Sequence, residues 1–211
     1  MRAELGALGA KVATVQLAGE RRLAVGGELG AVLADGVQRG SVVTVDGPAG
    51  AGVTRTAFEL AASVTAAGEW VAFVGDHTLG LAAAAELGVE LERAAVVHDV
   101  PDGRWPVAVG ALLDGMTMVV AVVPPRLALG DARRLLARAR ERRAVLVALE
   151  SALLARAGAW PAEAAVRVHV QGTNWEGLDA GGGLLSSCTA QIDVEGRGVR
   201  HSQVVRLARA G

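Results

Sequence analysis

Residues 45–54 read VDGPAGAGVT, and their spacing is nearly that of a phosphate-binding loop. In a G-x-x-x-x-G-K-[ST] loop, backbone N–H groups at a helix N-terminus converge on phosphate oxygens. The lysine neutralises the β and γ charges, and the Ser or Thr hydroxyl binds magnesium. Here Gly47 and Gly52 bracket the loop, Gly50 lies between them, and Thr54 holds the hydroxyl position, but Val53 stands where the lysine belongs. Arg55 comes two positions later, which rotates it about 200° round a helix. The only lysine, Lys11, belongs to a different segment. A nucleotide site also needs a carboxylate at the end of a neighbouring apolar strand to hold the metal. The run MVVAVV (118–123) has none and ends in Pro124 and Pro125. With both parts missing, no catalytic residue, metal or nucleotide cofactor is expected. Two readings of the loop stay open: a tight strand-to-helix connection that needs small residues, or residual anion binding through the amides.

Other chemistry-bearing residues are sparser. The segment DARRLLARARERR carries Arg133, Arg134, Arg138, Arg140, Arg142 and Arg143, with Glu141 as the only acid after Asp131. At helical spacing Ala132, Leu135, Leu136 and Ala139 make an apolar stripe, which leaves most arginines on the flanks and outer face. They form either a solvated face or a surface for a partner or for DNA, for which Arg133, Arg134, Arg138 and Arg142 are the candidates. The C-terminal HSQVVRLARAG offers Val205, Arg206 and Leu207 as a second candidate partner surface, or else an ordinary edge strand. His77, His98, His169 and His201 lack metal-ligand spacing. Asp76 and His77 follow a strand at the sheet end where α/β sites form, and a helix-capping turn explains them equally. No serine sits in a nucleophile elbow and no carboxylate pair is suggested by spacing. Trp70, Trp105, Trp160 and Trp175 read as core or edge packing, and the lone Cys188 as a small core hydrophobe.

The chain has 211 residues, 52% apolar and 20% charged, with a net charge of −1. That composition specifies a folded domain with a sizeable core and no global attraction to nucleic acid. Mean hydropathy is positive, yet no apolar run approaches the ~18 residues of a membrane span. A single cysteine and the absence of a signal-type N-terminus fit a reducing cytoplasm.

Glycine-punctuated apolar runs set the order of elements. A strand enters the loop, a helix follows from Thr54 to about Gly68, and strands (WVAFVG, AAVVHD, MTMVVAVV, AVLVALE) then alternate with helices. This predicts an α/β fold with a mostly parallel sheet flanked by helices. The runs AAVRVHVQG, LSSCTAQIDVEGRG and HSQVVRLARAG predict C-terminal antiparallel strands that extend one edge. A single domain is expected, with an N-terminal helical segment over 1–40, the α/β core over 41–171 and the antiparallel extension over 172–211.

The phrases RGSVVTVDGPAGAG, AAAAELGVELERAAVV, DARRLLARARERRAVLV and VQGTNWEGL carry a resemblance. The chain resembles the RecA-like ATPase core. More closely, it is similar to the shortened RecA-like mutasome accessory proteins of actinobacteria, the ImuA-prime group, over roughly residues 38–178. By that analogy Val53 replaces the family lysine, Thr54 corresponds to the magnesium hydroxyl and Asp76 approximately to the catalytic acid. The resemblance implies a non-catalytic, cytoplasmic and nucleoid-associated accessory protein of SOS-induced translesion synthesis. It would bind an ImuB-type inactive Y-family polymerase homologue and, through it, a C-family error-prone polymerase and the sliding clamp. The short stretch between MVVAVV and AVLVALE leaves little room for the DNA-binding loops of a recombinase. Two other classes compete: a P-loop ATPase with a displaced lysine, and a cell-division inhibitor of the SulA type.

Overall fold

The computed structural model describes residues 21–75, 80–151, 158–176, 187–196 and 199–207. Of the expected N-terminal helical segment, residues 1–20 lie outside these, as do Asp76 and His77. The described remainder is a two-residue ribbon, β1 (Arg22–Leu23) against β2 (Val37–Gln38), around the short helix α1 (Gly27–Val32).

The chain then builds one sheet. β3 (Val42–Gly47) leads into α2 (Val53–Ala66), and β4 (Val71–Val74) into α3 (Leu81–Glu86) and β5 (Ala94–Val97). Helix α4 (Trp105–Leu113), β6 (Met118–Val122), α5 (Leu129–Arg142) and β7 (Val145–Ser151) follow. Three long strands, β8 (Val166–Glu176), β9 (Ser187–Gly196) and β10 (Val199–Leu207), complete it. Their spatial order is β10-β9-β8-β3-β7-β6-β4-β5. The fold is therefore α/β, with a mostly parallel eight-stranded sheet and antiparallel strands at one edge.

One refinement concerns β8. Sequence patterning groups it with the antiparallel extension, but it runs parallel to β3 from Val43↔Val166 to Asp46↔His169 and antiparallel to β9 on its other side. It is thus the last parallel strand as well as the first partner of the extension, and residue 171 falls at a bulge within it, between Val170 and Gly172. The expected boundary between core and extension lies inside this strand.

Two apolar layers sandwich the sheet. Val43, Val45, Phe73, Val120, Val147, Val168 and Ile192 face α1, α2 and α3, while Ala72, Val119, Leu146 and Ala148 face α4 and α5. Helix α2 packs because Val53, Thr56, Ala57, Leu60, Ala61 and Val64 recur at helical spacing and are all buried. Its Phe58 meets Phe73 edge-on at 5.6 Å between ring centroids. Each fully buried large side chain contributes about 1.5–3 kcal/mol. The strand predicted to be buried on both faces, β6, is so: Met118, Val119, Val120 and Ala121 are all within the core.

At the N-terminal end of the parallel strands, one carboxylate ties three loops. Arg39 donates to both Glu69 oxygens at 3.0 and 2.5 Å, and Thr117 Oγ1 donates to Oε2 at 2.7 Å. The Arg39 bonds hold the Glu69 carboxyl below the usual glutamate range. A lowered native pKa gives stability that is present above the ordinary glutamate pKa and lost as pH falls through the lowered value. Arg39→Met is expected to remove this acid-side loss, so that the gap in urea midpoint between wild type and variant closes as pH falls through the lowered Glu69 value; a constant gap across the titration would contradict it.

Candidate functional site

The glycine loop joins β3 to α2, where a phosphate loop must be, and three contacts fix what it does. A Cβ on Gly47 would lie 2.4 Å from the Val170 carbonyl oxygen, so only glycine lets β8 pass this close. Thr173 Oγ1 of the same strand donates to the Gly50 carbonyl at 3.4 Å. The Ala51 amide is already spent on the Pro48 carbonyl at 3.1 Å. Gly50 and Gly52 take positive φ, and Gly52 forms the N-cap of α2.

The lysine position points inward. Val53 is 5% exposed, belongs to the core layer of α1 and α2, and its Cγ2 lies 3.2 Å from where a Cβ on Gly47 would stand. Ala51 is buried beside it, and Thr54 is half-buried. Arg55 does not replace the lysine: its Nε donates to Glu59 Oε1 at 3.0 Å, one turn along α2. Glu59 is itself pushed above the ordinary range by burial, against the pull of Arg55.

The strand end that would carry a magnesium carboxylate is closed. Val123 is fully buried, its N–H donates to the Leu149 carbonyl at 3.0 Å, and its carbonyl accepts from Gly158 N–H at 2.6 Å. Gly158 fits only as glycine, since a Cβ there would stand 2.3 Å from the Pro124 oxygen. No cluster of His, Cys, Asp or Glu among the described residues has the geometry to hold a metal ion.

The charge at this end of the sheet is acidic. Register sets Glu150 of β7 opposite Asp46 of β3, and Asp46 opposite His169 of β8. His169 Nδ1 lies 2.5 Å from Asp46 Oδ1. Glu150 accepts from Trp160 N–H at 2.7 Å, and burial raises its carboxyl above the ordinary glutamate range, with Asp46 alongside adding to the rise. Sequence spacing gave no hint of this carboxylate pair, because 104 residues separate its members and only sheet register joins them.

The two surface candidates fare differently. On α5, Ala132, Leu135 and Ala139 are buried as expected. Arg134 pairs with Asp131. Arg138 and Arg142 both reach Asp114 at the end of α4, Arg138 Nε donating at 2.8 Å and Arg142 Nε at 3.0 Å. Asp114 is held below the ordinary aspartate range, chiefly by its hydrogen bond with Arg138. Three of the nominated arginines thus serve intramolecular pairs, and Arg133 stays exposed. At the C-terminus Val205 does not face outward as expected: it is 3% exposed and sits in the core layer of α1 and α2, and the exposed side chains of β10 among the described residues are Ser202, Gln203 and Val204. The side chains of Arg206 and Leu207 lie outside the described residues. A cavity of about 940 Å³ opens at the opposite end of the sheet from the glycine loop, between Ser41, Val42, Val166, Gly196 and Arg140.

The stretch from residue 30 to residue 162, which holds the glycine loop, the sealed strand end and the arginine helix, matches the family model of the MT3502 N-terminal domain. The chain belongs to this family. The match covers more than half of the sequence and stops four residues short of β8. The chain is also similar to uncharacterized protein Rv3395c of Mycobacterium tuberculosis (strain ATCC 25618 / H37Rv), with 42% identity over 98 residues, which is 46% of this chain and 47% of that protein. The alignment thus spans about half the length of that relative.

Two outcomes follow. Val53→Lys buries an ammonium in the core and is expected to cost at least about 2 kcal/mol in urea unfolding without creating Mg-ATP binding; micromolar ATP affinity in this variant would show the pocket to be open. The raised Glu150 contributes stability below the ordinary glutamate pKa that is lost as pH rises through the raised value. Glu150→Gln keeps an acceptor for Trp160 and is expected to remove that loss, read as an unfolding midpoint that declines less than wild type as pH rises above the ordinary glutamate range; an identical decline in both would contradict it.

Proposed function

We propose that this chain is a non-catalytic RecA-like accessory protein of an SOS-induced translesion-synthesis complex, which binds an inactive Y-family polymerase homologue of the ImuB type. The observation that carries the non-catalytic half is the burial of Val53 under the glycine loop, where a triphosphate site needs a cation. The sealed end of β6 supports it, because no carboxylate stands there to hold magnesium. The acidic row of Glu150 and Asp46 beside the loop disfavours an incoming polyphosphate further. The mutasome half is supported by the resemblance of RGSVVTVDGPAGAG, DARRLLARARERRAVLV and VQGTNWEGL to that accessory group. On this reading the C-family polymerase and the sliding clamp are reached through the Y-family homologue, the protein works at the nucleoid, and DNA contact is local to the arginine helix.

Among the described residues no helix is long and apolar enough to cross a membrane. Helix α5 supplies a DNA or partner face of reduced free charge, since Arg134, Arg138 and Arg142 are each engaged with an aspartate. The ATPase alternative requires a cation that Arg55, paired with Glu59, does not supply.

Co-purification from damage-induced cells tests the proposal. The tagged chain is expected to retain the Y-family homologue, and Thr54→Ala, which removes the magnesium hydroxyl, is expected to retain it equally and to restore induced mutagenesis in a strain lacking the gene. Capture of the tubulin-like division protein in its place, or failure of a folded Thr54→Ala variant in mutagenesis, would overturn it.

A further inference from the structure

Three connections meet where the central parallel strands begin: Arg39 to Ser41 lead into β3, Asp114 to Thr117 into β6, and Arg143 and Ala144 into β7. A cavity of about 400 Å³ lies among them, lined by Leu113, Asp114, Thr117 and three arginines, Arg39, Arg142 and Arg143. That volume suits a small ligand. The amides of one wall are engaged, Gly115 and Met116 donating to the Leu112 carbonyl at 3.1 and 2.9 Å and Thr117 to the Trp70 carbonyl at 3.0 Å. Recognition falls to the side chains.

The arginines are unequally committed. Arg39 holds Glu69 through both Nη groups. Arg142 gives Asp114 its Nε alone, and the Arg143 side chain has no hydrogen bond or ion pair among the described residues. Arg143 also closes α5 at φ 56°, a left-handed position that glycine ordinarily fills. Packing does not call for a long cation there, because the side chain is exposed. Local charge does not either. Arg39, Arg142, Arg143 and Arg138, the second partner of Asp114, stand against Glu69, Asp114 and the C-terminal ends of α4 and α5. Each helix end counts for about half a negative charge, which leaves roughly one positive charge in excess. Arg140 and Glu141, on the same turn, do not line this cavity and offset each other.

We propose that Arg142 and Arg143, backed by Arg39, form a binding site for a phosphate group. Planar guanidinium forks match phosphate oxygens two at a time, and Arg142 keeps its Nη donors for such a ligand. The site lies at the opposite end of the sheet from the glycine loop and stands independently of the accessory-protein reading. Its phosphate belongs to a small phosphate ester or to a nucleic-acid backbone.

The probes are inorganic phosphate and a short single-stranded oligothymidylate without terminal phosphate, titrated at constant ionic strength into the full chain while the arginine Nε–Hε resonances are followed. Phosphate is expected to shift Arg142 and Arg143 saturably, where chloride does not. Arg143→Gly removes the cation and suits the left-handed turn. It is expected to keep or exceed the wild-type urea midpoint while weakening binding, read at Arg142, by about tenfold or more. Oligonucleotide that reproduces these shifts or displaces phosphate assigns the source to a nucleic-acid backbone; binding of phosphate alone assigns it to a small ester. No saturable shift with either probe, equal shifts with chloride, or unchanged binding in Arg143→Gly would each overturn the site, and the wild-type titration decides alone should the variant not fold. Loss of the phosphate site leaves co-purification of the polymerase homologue intact, and the converse holds.

Discussion

The passage of β8 over the glycine loop is the constraint on which this end of the molecule depends. The Val170 carbonyl comes so close to Gly47 that no side chain fits between them, and Thr173 of the same strand ties the Gly50 carbonyl. With β8 above and the core below, the loop has one way to turn into α2, and that turn drives Val53 inward. A lysine at this position would carry its ammonium into the apolar layer that Val53 shares with Val43, Val45 and Leu60. The glycine loop thus serves close packing between β3, β8 and α2. The small residues that admit a phosphate also let two strands and a helix meet closely.

The electrostatics around the loop follow the same logic. A site for a triphosphate must present excess positive charge, since bringing anionic oxygens into a partly dry crevice is costly without it. Here the nearest described charges across the sheet are Asp46 and Glu150, and burial already makes ionisation of Glu150 unfavourable. The one nearby arginine on α2 is held by Glu59. Positive charge is gathered elsewhere, on α5, where two arginines converge on Asp114 and clamp that helix to α4. An ion pair that spans two helices fixes their relative position but leaves less charge for a ligand.

Much of this was legible in the sequence, and what was not has a common physical origin. The loop, the helix stop at Gly68, the doubly buried run at Met118 and the apolar stripe of α5 are local patterns, and each is found as expected. The parallel pairing of β8 with β3 was missed because alternation in a strand does not reveal the direction of its neighbour. The Asp46–Glu150 row and the Asp114 pairs were missed because their partners are 24 to 104 residues apart and meet only through tertiary register. The inward turn of Val205 depends on which face of β10 meets the core, and the run Gln203, Val204, Val205 alternates too weakly to decide it. Gly158 gave no signal, since its requirement comes from Pro124, distant in the chain.

On the proposed reading, backbone packing and the buried Val53 close the glycine loop to polyphosphate. Backbone amide chemical shifts of Gly50, Gly52, Val53 and Thr54 during a Mg-ATP titration test it most directly. A closed loop gives shifts no larger than those produced by matched ionic strength, up to millimolar nucleotide. Saturable, magnesium-dependent shifts centred on these four amides would contradict it.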